Sequence, residues 1–218
     1  MARGARRSRK RFGGALEPFC LLEVELAKGR GELAHLAQAT VKRPFTAITE
    51  SLDRMLAAGA AMELLREALP DRGPDAALLD AAVDFLDMLA GGAPPEELLL
   101  GFQIRALALL GFHPGLVACA SCGKEAPPGH AALFDPARGS IVCRACGGAS
   151  LYLSGDTRGA LLAALEGEPT VPSPWPAEQR REASTAIARF VEHQLGRALP
   201  GSALASPSKP DPETQGTP

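Results

Sequence analysis

Aromatic residues are scarce in this chain, making up 5% of its 218 residues with one Trp and one Tyr. Binding of nucleic acid would therefore have to lean on charge more than on a row of stacking platforms. Histidine is also sparse. His35, His113, His130 and His193 fall in separate segments, with no HExxH pair and no His-x-Glu beside a cysteine, which excludes the zincin and zinc-deaminase arrangements. No apolar run approaches the roughly 20 residues that span a bilayer, so no membrane association is expected. Acidic residues are missing before Glu17. The start is Arg-rich, but Gly13, Gly14, Glu17 and Pro18 break the stretch from Phe12 to Phe19, which excludes a signal-peptide core and points to the cytoplasm.

What is present supports a folded body. Hydrophobic residues reach 46%, enough to bury a core, and the abundance of Ala, Leu and Arg favours helix. The net charge of −2 conceals an asymmetry. Arg3, Arg6, Arg7, Arg9, Lys10 and Arg11 crowd the first eleven residues, while the remainder carries 17 basic against 25 acidic residues. A basic arm on an acidic body is the pattern of a polyanion-binding end, the bland alternative being a solvated tail. Gly13-Gly14 is followed by no GKS or GKT, so a phosphate loop is excluded.

Along the chain, residues 19–43 read as a β-hairpin. Leu22, Val24 and Leu26 alternate with Glu23 and Glu25, Gly29-Arg30-Gly31 supplies the turn, and Leu33 to Val41 return. Two strands are marginal alone and must be completed by something else. Helices follow over Thr46–Leu69, Asp75–Leu89 and Pro95–Gly111. The third is apolar on almost every side, which predicts a central position, with Arg105 snorkelling or paired to a carboxylate. After an insert at 113–150, Ser154 is placed to cap a helix through Leu165. A Pro-rich connector, Pro169 to Pro176, leads to a last helix over Ala177–Gly196, and the tail at 201–218 reads as disordered.

The strongest motif is Cys119-x-x-Cys122, twenty residues, then Cys143-x-x-Cys146. Each CxxC lets two thiolates of one tight knuckle face one ion, and the spacer holds a short hairpin through Phe134 and Ile141-Val142. Gly123 and Gly147, one after each knuckle, sit where a positive φ is often needed. Four thiolates predict a structural zinc with no open position for water; the alternatives are a redox pair, which would not need four cysteines, or an iron–sulfur cluster. His130 reads as a loop residue, and the lone Cys20 as a small buried apolar side chain. No catalytic constellation is present, so the chain is not read as an enzyme.

Taken in order, these pieces resemble RecO, the bacterial recombination mediator. The likeness is carried by Ala2-Arg3-Gly4-Ala5-Arg6-Arg7 with Phe12 to Phe19, by Phe102-Gln103-Ile104-Arg105 running into Leu109-Leu110-Gly111-Phe112, by the two CxxC pairs, and by His193-Gln194-Leu195-Gly196-Arg197-x-Leu199. The resemblance implies an α+β fold: a partial OB-fold hairpin (1–44), then a mostly helical domain (45–200) with an inserted four-cysteine zinc ribbon. An OB-fold has five strands, so the first two and most of the third are expected outside this sequence, through a displaced start or a truncated copy. Such a barrel could not close. The resemblance further implies binding of single- and double-stranded DNA through Arg3, Arg6, Arg7, Arg9, Lys10 and Arg11, and annealing of strands coated with single-strand binding protein (SSB). It also implies loading of RecA together with RecR, contact with the acidic SSB tail, and a place in the cytoplasm near the nucleoid. The alternative is a zinc-ribbon adaptor for proteins, without DNA activity.

Overall fold

The computed structural model describes residues 15, 17–28, 35–69, 75–166 and 175–196, and the architecture is α+β. Strands β1 (Cys20–Ala27) and β2 (His35–Pro44) pair antiparallel, with Leu22, Val24 and Leu26 opposite Val41, Ala39 and Leu36. The returning strand thus runs further than Val41, and the expected turn at Gly29-Arg30-Gly31 lies outside the described residues. The alternation does not give a half-buried strand along its full length. Val24 is 46% and Leu26 66% exposed, because a two-stranded ribbon offers these side chains only their cross-strand neighbours. Ala15 and Ala39 form a small cluster of their own there with Leu22, Leu36 and Val41. At its other end the hairpin is tied to the helices. Phe45 N–H donates to Phe19 O at 3.0 Å, Phe45 is buried, and Arg43 pairs with Asp87.

The helix expected from Thr46 is divided. Thr46–Glu50 forms one 3-10 turn, and Ser51 is extended (φ −136°, ψ 129°) before α1 (Leu52–Ala68) begins. β-Branched Thr46, Ile48 and Thr49 disfavour a regular helix here, and Thr49 Oγ1 donates to Thr46 O at 2.7 Å. Helix α2 (Ala76–Ala90) starts at Asp75, whose carboxylate accepts the Leu78 N–H at 3.0 Å, the side-chain cap of an N-terminus. Helix α3 (Pro95–Leu109) is the central one, as its all-round apolarity predicts. It buries Leu98, Leu99, Leu100, Phe102, Gln103, Ile104, Ala106 and Leu107. It touches α1, α2 and two later helices, α4 (Gly155–Glu166) and α5 (Ala177–Leu195). Phe102 lies on Phe85 of α2 with ring centroids 4.9 Å apart. Arg105 reaches Asp84 at 3.2 Å and remains about a third exposed, so it is a surface ion pair of at most about 1 kcal/mol.

Between α3 and α4 lies a three-stranded sheet in the order β4 (Ser140–Ile141), β3 (Ala132–Asp135), β5 (Leu151–Leu153). Phe134 faces Ile141 in the hairpin, as the spacer between the cysteines predicts. Strand β5 is an addition to that expectation. Leu151–Leu153, to which the sequence assigns no element, pairs with β3 through Leu133↔Tyr152 and Phe134↔Leu151. Three apolar-leaning residues carry too little periodicity to announce a strand. Leu116, Phe134, Ile141 and Leu153 belong to the same buried cluster as the helices, so the cysteine-bearing insert is docked on the main core. Among the described residues no helix is long and apolar enough to cross a membrane.

Candidate metal centre

Both CxxC segments fold into tight knuckles. In the first, Gly123 N–H donates to Cys119 O and Cys119 N–H to Lys124 O, both at 2.9 Å. In the second, Arg144–Cys146 makes one 3-10 turn, and Cys146 and Gly148 N–H groups both donate to Cys143 O at 3.0 Å. Gly123 (φ 71°) and Gly147 (φ 101°) adopt the left-handed conformation that the turns require and a side chain would oppose. The Ala120 N–H donates to Ile141 O at 2.9 Å, which clamps one knuckle against the hairpin leading to the other.

The four Sγ atoms converge to within 4.8 Å of one another, and Cys122 and Cys143 Sγ are 3.8 Å apart. A tetrahedral ion with metal–sulfur bonds of about 2.3 Å has sulfurs about 3.8 Å apart, so the donor set fits such a site and could hold a metal ion. Cys119 is buried, Cys143 half-buried, and Cys122 and Cys146 face solvent. Their electrostatics fit a dication as well. Backbone N–H groups of Cys143, Cys122 and Ser121 lower the Cys119 thiol to about 6. Hydrogen bonds of the Cys146 thiol with the sulfurs of Cys143 and Cys122 favour its protonated form and push it up to about 12. A bound cation would displace that proton.

His130 points elsewhere: its Nδ1 lies 3.1 Å from Pro128 O, in keeping with a loop residue. Cys20 is half-buried rather than buried, its Sγ 3.8 Å from Pro18 O. Arg3, Arg6, Arg7, Arg9, Lys10 and Arg11 lie outside the described residues.

The residue that sequence reasoning missed is Arg158. Its charged side chain is 2% exposed, and its partners among the described residues are peptide carbonyls of the insert. Nε donates to His130 O at 3.0 Å, Nη1 to Leu116 O at 2.9 Å, both terminal nitrogens to Ala126 O at 3.4 Å, and Nη2 to Pro127 O. One guanidinium on α4 thereby gathers the segment entering the first knuckle and the loop leaving it. Ser154 Oγ accepts the Thr157 N–H at 3.2 Å, the cap expected for α4, while the Ser154 N–H donates to Glu182 of α5 at 2.9 Å. Burial raises the Glu182 carboxyl, but the Ser154 N–H and the Thr157 and Ser154 hydroxyls outweigh it and hold the group below its ordinary value.

Backbone contact between α4 and the insert is close enough to require glycine. A Cβ on Gly155 would stand 1.8 Å from Gly129 O and 2.4 Å from Gly129 C. Gly155→Ala is expected to destabilise the protein by about 1–3 kcal/mol or more, because backbone must move. Gly159→Ala, in the same helix with nothing within 4 Å, is expected to be neutral or to stabilise by up to ~1 kcal/mol. Thermal unfolding of the two variants side by side checks the contrast.

Two family profiles match consecutive stretches of this chain. The profile described as Recombination protein O C terminal matches residues 49–203, and Recombination protein O N terminal matches residues 1–45. The chain belongs to the RecO family. The DNA repair protein RecO of Anaeromyxobacter sp. (strain K) is 42% identical over 210 residues, covering 91% of this chain and 80% of the relative. RecO of Myxococcus xanthus (strain DK1622) is 35% identical over 201 residues with the same coverage. RecO proteins act in DNA repair, by recombination. Within the RecO C-terminal match fall α1 to α5, the four cysteines and Arg158. The basic arm and the hairpin fall in the N-terminal match.

Proposed function

We propose that this chain is a non-enzymatic recombination mediator. It binds single- and double-stranded DNA, anneals strands coated with single-strand binding protein, and assists RecA loading together with RecR and the acidic SSB tail. The observation that carries the reading is the match of both family profiles to consecutive stretches of the chain. The basic arm supports it. Arg3, Arg6, Arg7, Arg9, Lys10 and Arg11 take the phosphate contacts, because clustered cations release counterions from a polyanion without needing a base sequence. Held side by side on such a surface, two backbones repel each other less and their bases can pair. Residues 1–44 form the DNA-binding unit, residues 45–200 the helical domain with the ribbon, and residues 201–218 a tail.

Cys119, Cys122, Cys143 and Cys146 hold one Zn2+ in this reading, and its role is structural. Four thiolates leave no position for water or substrate.

Annealing of complementary, SSB-coated oligonucleotides by the purified chain, followed across a salt series, tests the function. The expected result is annealing that fades with salt and is lost when the six basic residues are changed to alanine. If only about six phosphates are neutralised on a single strand, the logarithm of affinity should fall with a slope near −4 against the logarithm of salt. A metal-loaded chain that neither binds nor anneals DNA would sink the reading and favour a protein-binding adaptor.

A further inference from the structure

The ribbon carries a groove beside the cysteine cluster, with Cys119 and Cys143 among its lining residues. It has a volume of about 390 Å³ and lies between the first knuckle, the β3–β4 hairpin and β5. Its floor is apolar, with Ala132, Leu133 and Val142 among the lining residues. Tyr152, the one Tyr of the chain, lines it from β5 and is 56% exposed. Lys124 and Arg144, both exposed, complete the lining from the two knuckles.

These two cations, like Lys28 and Arg181, carry no ion pair among the described residues, and of the four only these two line the groove. Most described Lys and Arg side chains are tied down, as Arg43 is by Asp87, Arg105 by Asp84 and Arg180 by Glu96 and Glu97. Neither Lys124 nor Arg144 has a carboxylate within ion-pair distance among the described residues, although Glu125 also lines the groove. A flat aromatic face, an apolar floor and two free cations on opposite knuckles complement a ligand that alternates flat rings with negative charge. Such a groove suits the uncharged face of a base, with the flanking phosphates on the two long side chains.

Resting on the DNA-binding reading above, we propose that the ribbon groove is a single-strand contact site. It stacks a base on Tyr152 and takes the flanking phosphates on Lys124 and Arg144. The site draws on none of the six basic residues at 3–11, and it gives the helical body its own hold on a single strand.

The test is fluorescence anisotropy of a labelled oligo(dT) with the full, metal-loaded chain, run over a salt series with metal content measured for every variant. Tyr152→Ala is expected to weaken binding at least about fivefold, the low end of one base stack, whereas Tyr152→Phe, which keeps the ring, stays near wild type. Lys124→Gln with Arg144→Gln is expected to flatten the salt slope by about 1.4, two single-strand phosphates' worth. Arg66→Ala, a surface cation already paired to Glu63 and Glu67, serves as the control and leaves both readouts unchanged. Wild-type binding by both Tyr152→Ala and the double variant overturns the site while the mediator reading stands. The site is overturned equally if the double variant sheds metal and Tyr152→Ala still binds normally, since the cations would then serve the thiolates. A wild-type chain that binds no oligo(dT) overturns the groove and the DNA-binding reading together.

Discussion

Arg158→Ala is expected to cost about 3–5 kcal/mol of stability and to loosen the insert before anything else. The substitution removes a buried cation whose charge is met, among the described residues, by the carbonyls of Leu116, Ala126, Pro127 and His130. The Leu116 carbonyl would be left without its partner in a buried position, and the other three in part-buried ones. A buried acceptor left without a partner costs about 1–3 kcal/mol, and the loss of several such bonds together with the packing of the side chain brings the total to about 3–5 kcal/mol. For a protein of this size that lowers Tm by roughly 6–20 °C. Arg158→Lys keeps the charge but offers a compact head with three donors instead of a planar fork. It is expected to recover less than half of the loss. Hydrogen exchange should show the order of events, with amides at 116–130 opening while α3 stays protected. If Arg158→Ala unfolds at the wild-type temperature, the guanidinium does not hold the insert.

The second large effect concerns the metal. Chelation, or Cys119→Ser with Cys122→Ser, is expected to unfold the knuckles and to lower the Tm of the whole body by at least about 10 °C. Structural zinc in small domains contributes apparent binding energies of about 10–16 kcal/mol, and most of that is folding energy. Here the consequence reaches further than the ribbon. Phe134, Ile141 and Leu153 are buried with Leu161 and Phe190 in one cluster, and Phe134 meets Phe190 edge to face at 6.2 Å. Loosening β3 and β4 therefore uncovers faces of α4 and α5. The effect depends on pH with a definite sign. Metal must displace the thiol protons, and without it Cys146 is pushed up to about 12 while Cys119 sits at about 6. Affinity should fall steadily as pH falls, with release of the ion on acidification measured by a colorimetric chelator. Unchanged Tm and amide protection after complete removal of the metal would exclude a structural role.

The two effects share one cause. The insert is too small to bury a core of its own, and its three strands are short. It is held from within by the converging sulfurs and from outside by Arg158, the Gly155–Gly129 contact and the Phe134–Phe190 pair.

Features that depend on local pattern are legible in the chain before it folds. The CxxC spacing announces the four-sulfur cluster, since two residues between cysteines already put both thiols on one turn. The glycines after each knuckle announce its left-handed corner. The all-round apolarity of Pro95–Leu109 places α3 at the centre, and Ser154 marks the start of α4. Local pattern also shows the alternation of Leu22, Val24 and Leu26, but not its degree of burial, because burial depends on what lies opposite. The remaining features arise only on folding. Arg158 looks in the sequence like any helical surface arginine, since its partners are carbonyls, a group every residue carries and no sequence distinguishes. Strand β5 is invisible for a related reason: three residues become a strand only because β3 has a free edge beside them. Lys124, Arg144 and Tyr152 are separated along the chain, and folding of the knuckles and the sheet brings them to one groove. A four-sulfur cluster with fixed spacing is written in the sequence. A buried charge, a sheet edge and a shared groove are products of long-range packing, and the three-dimensional fold is the first place they exist.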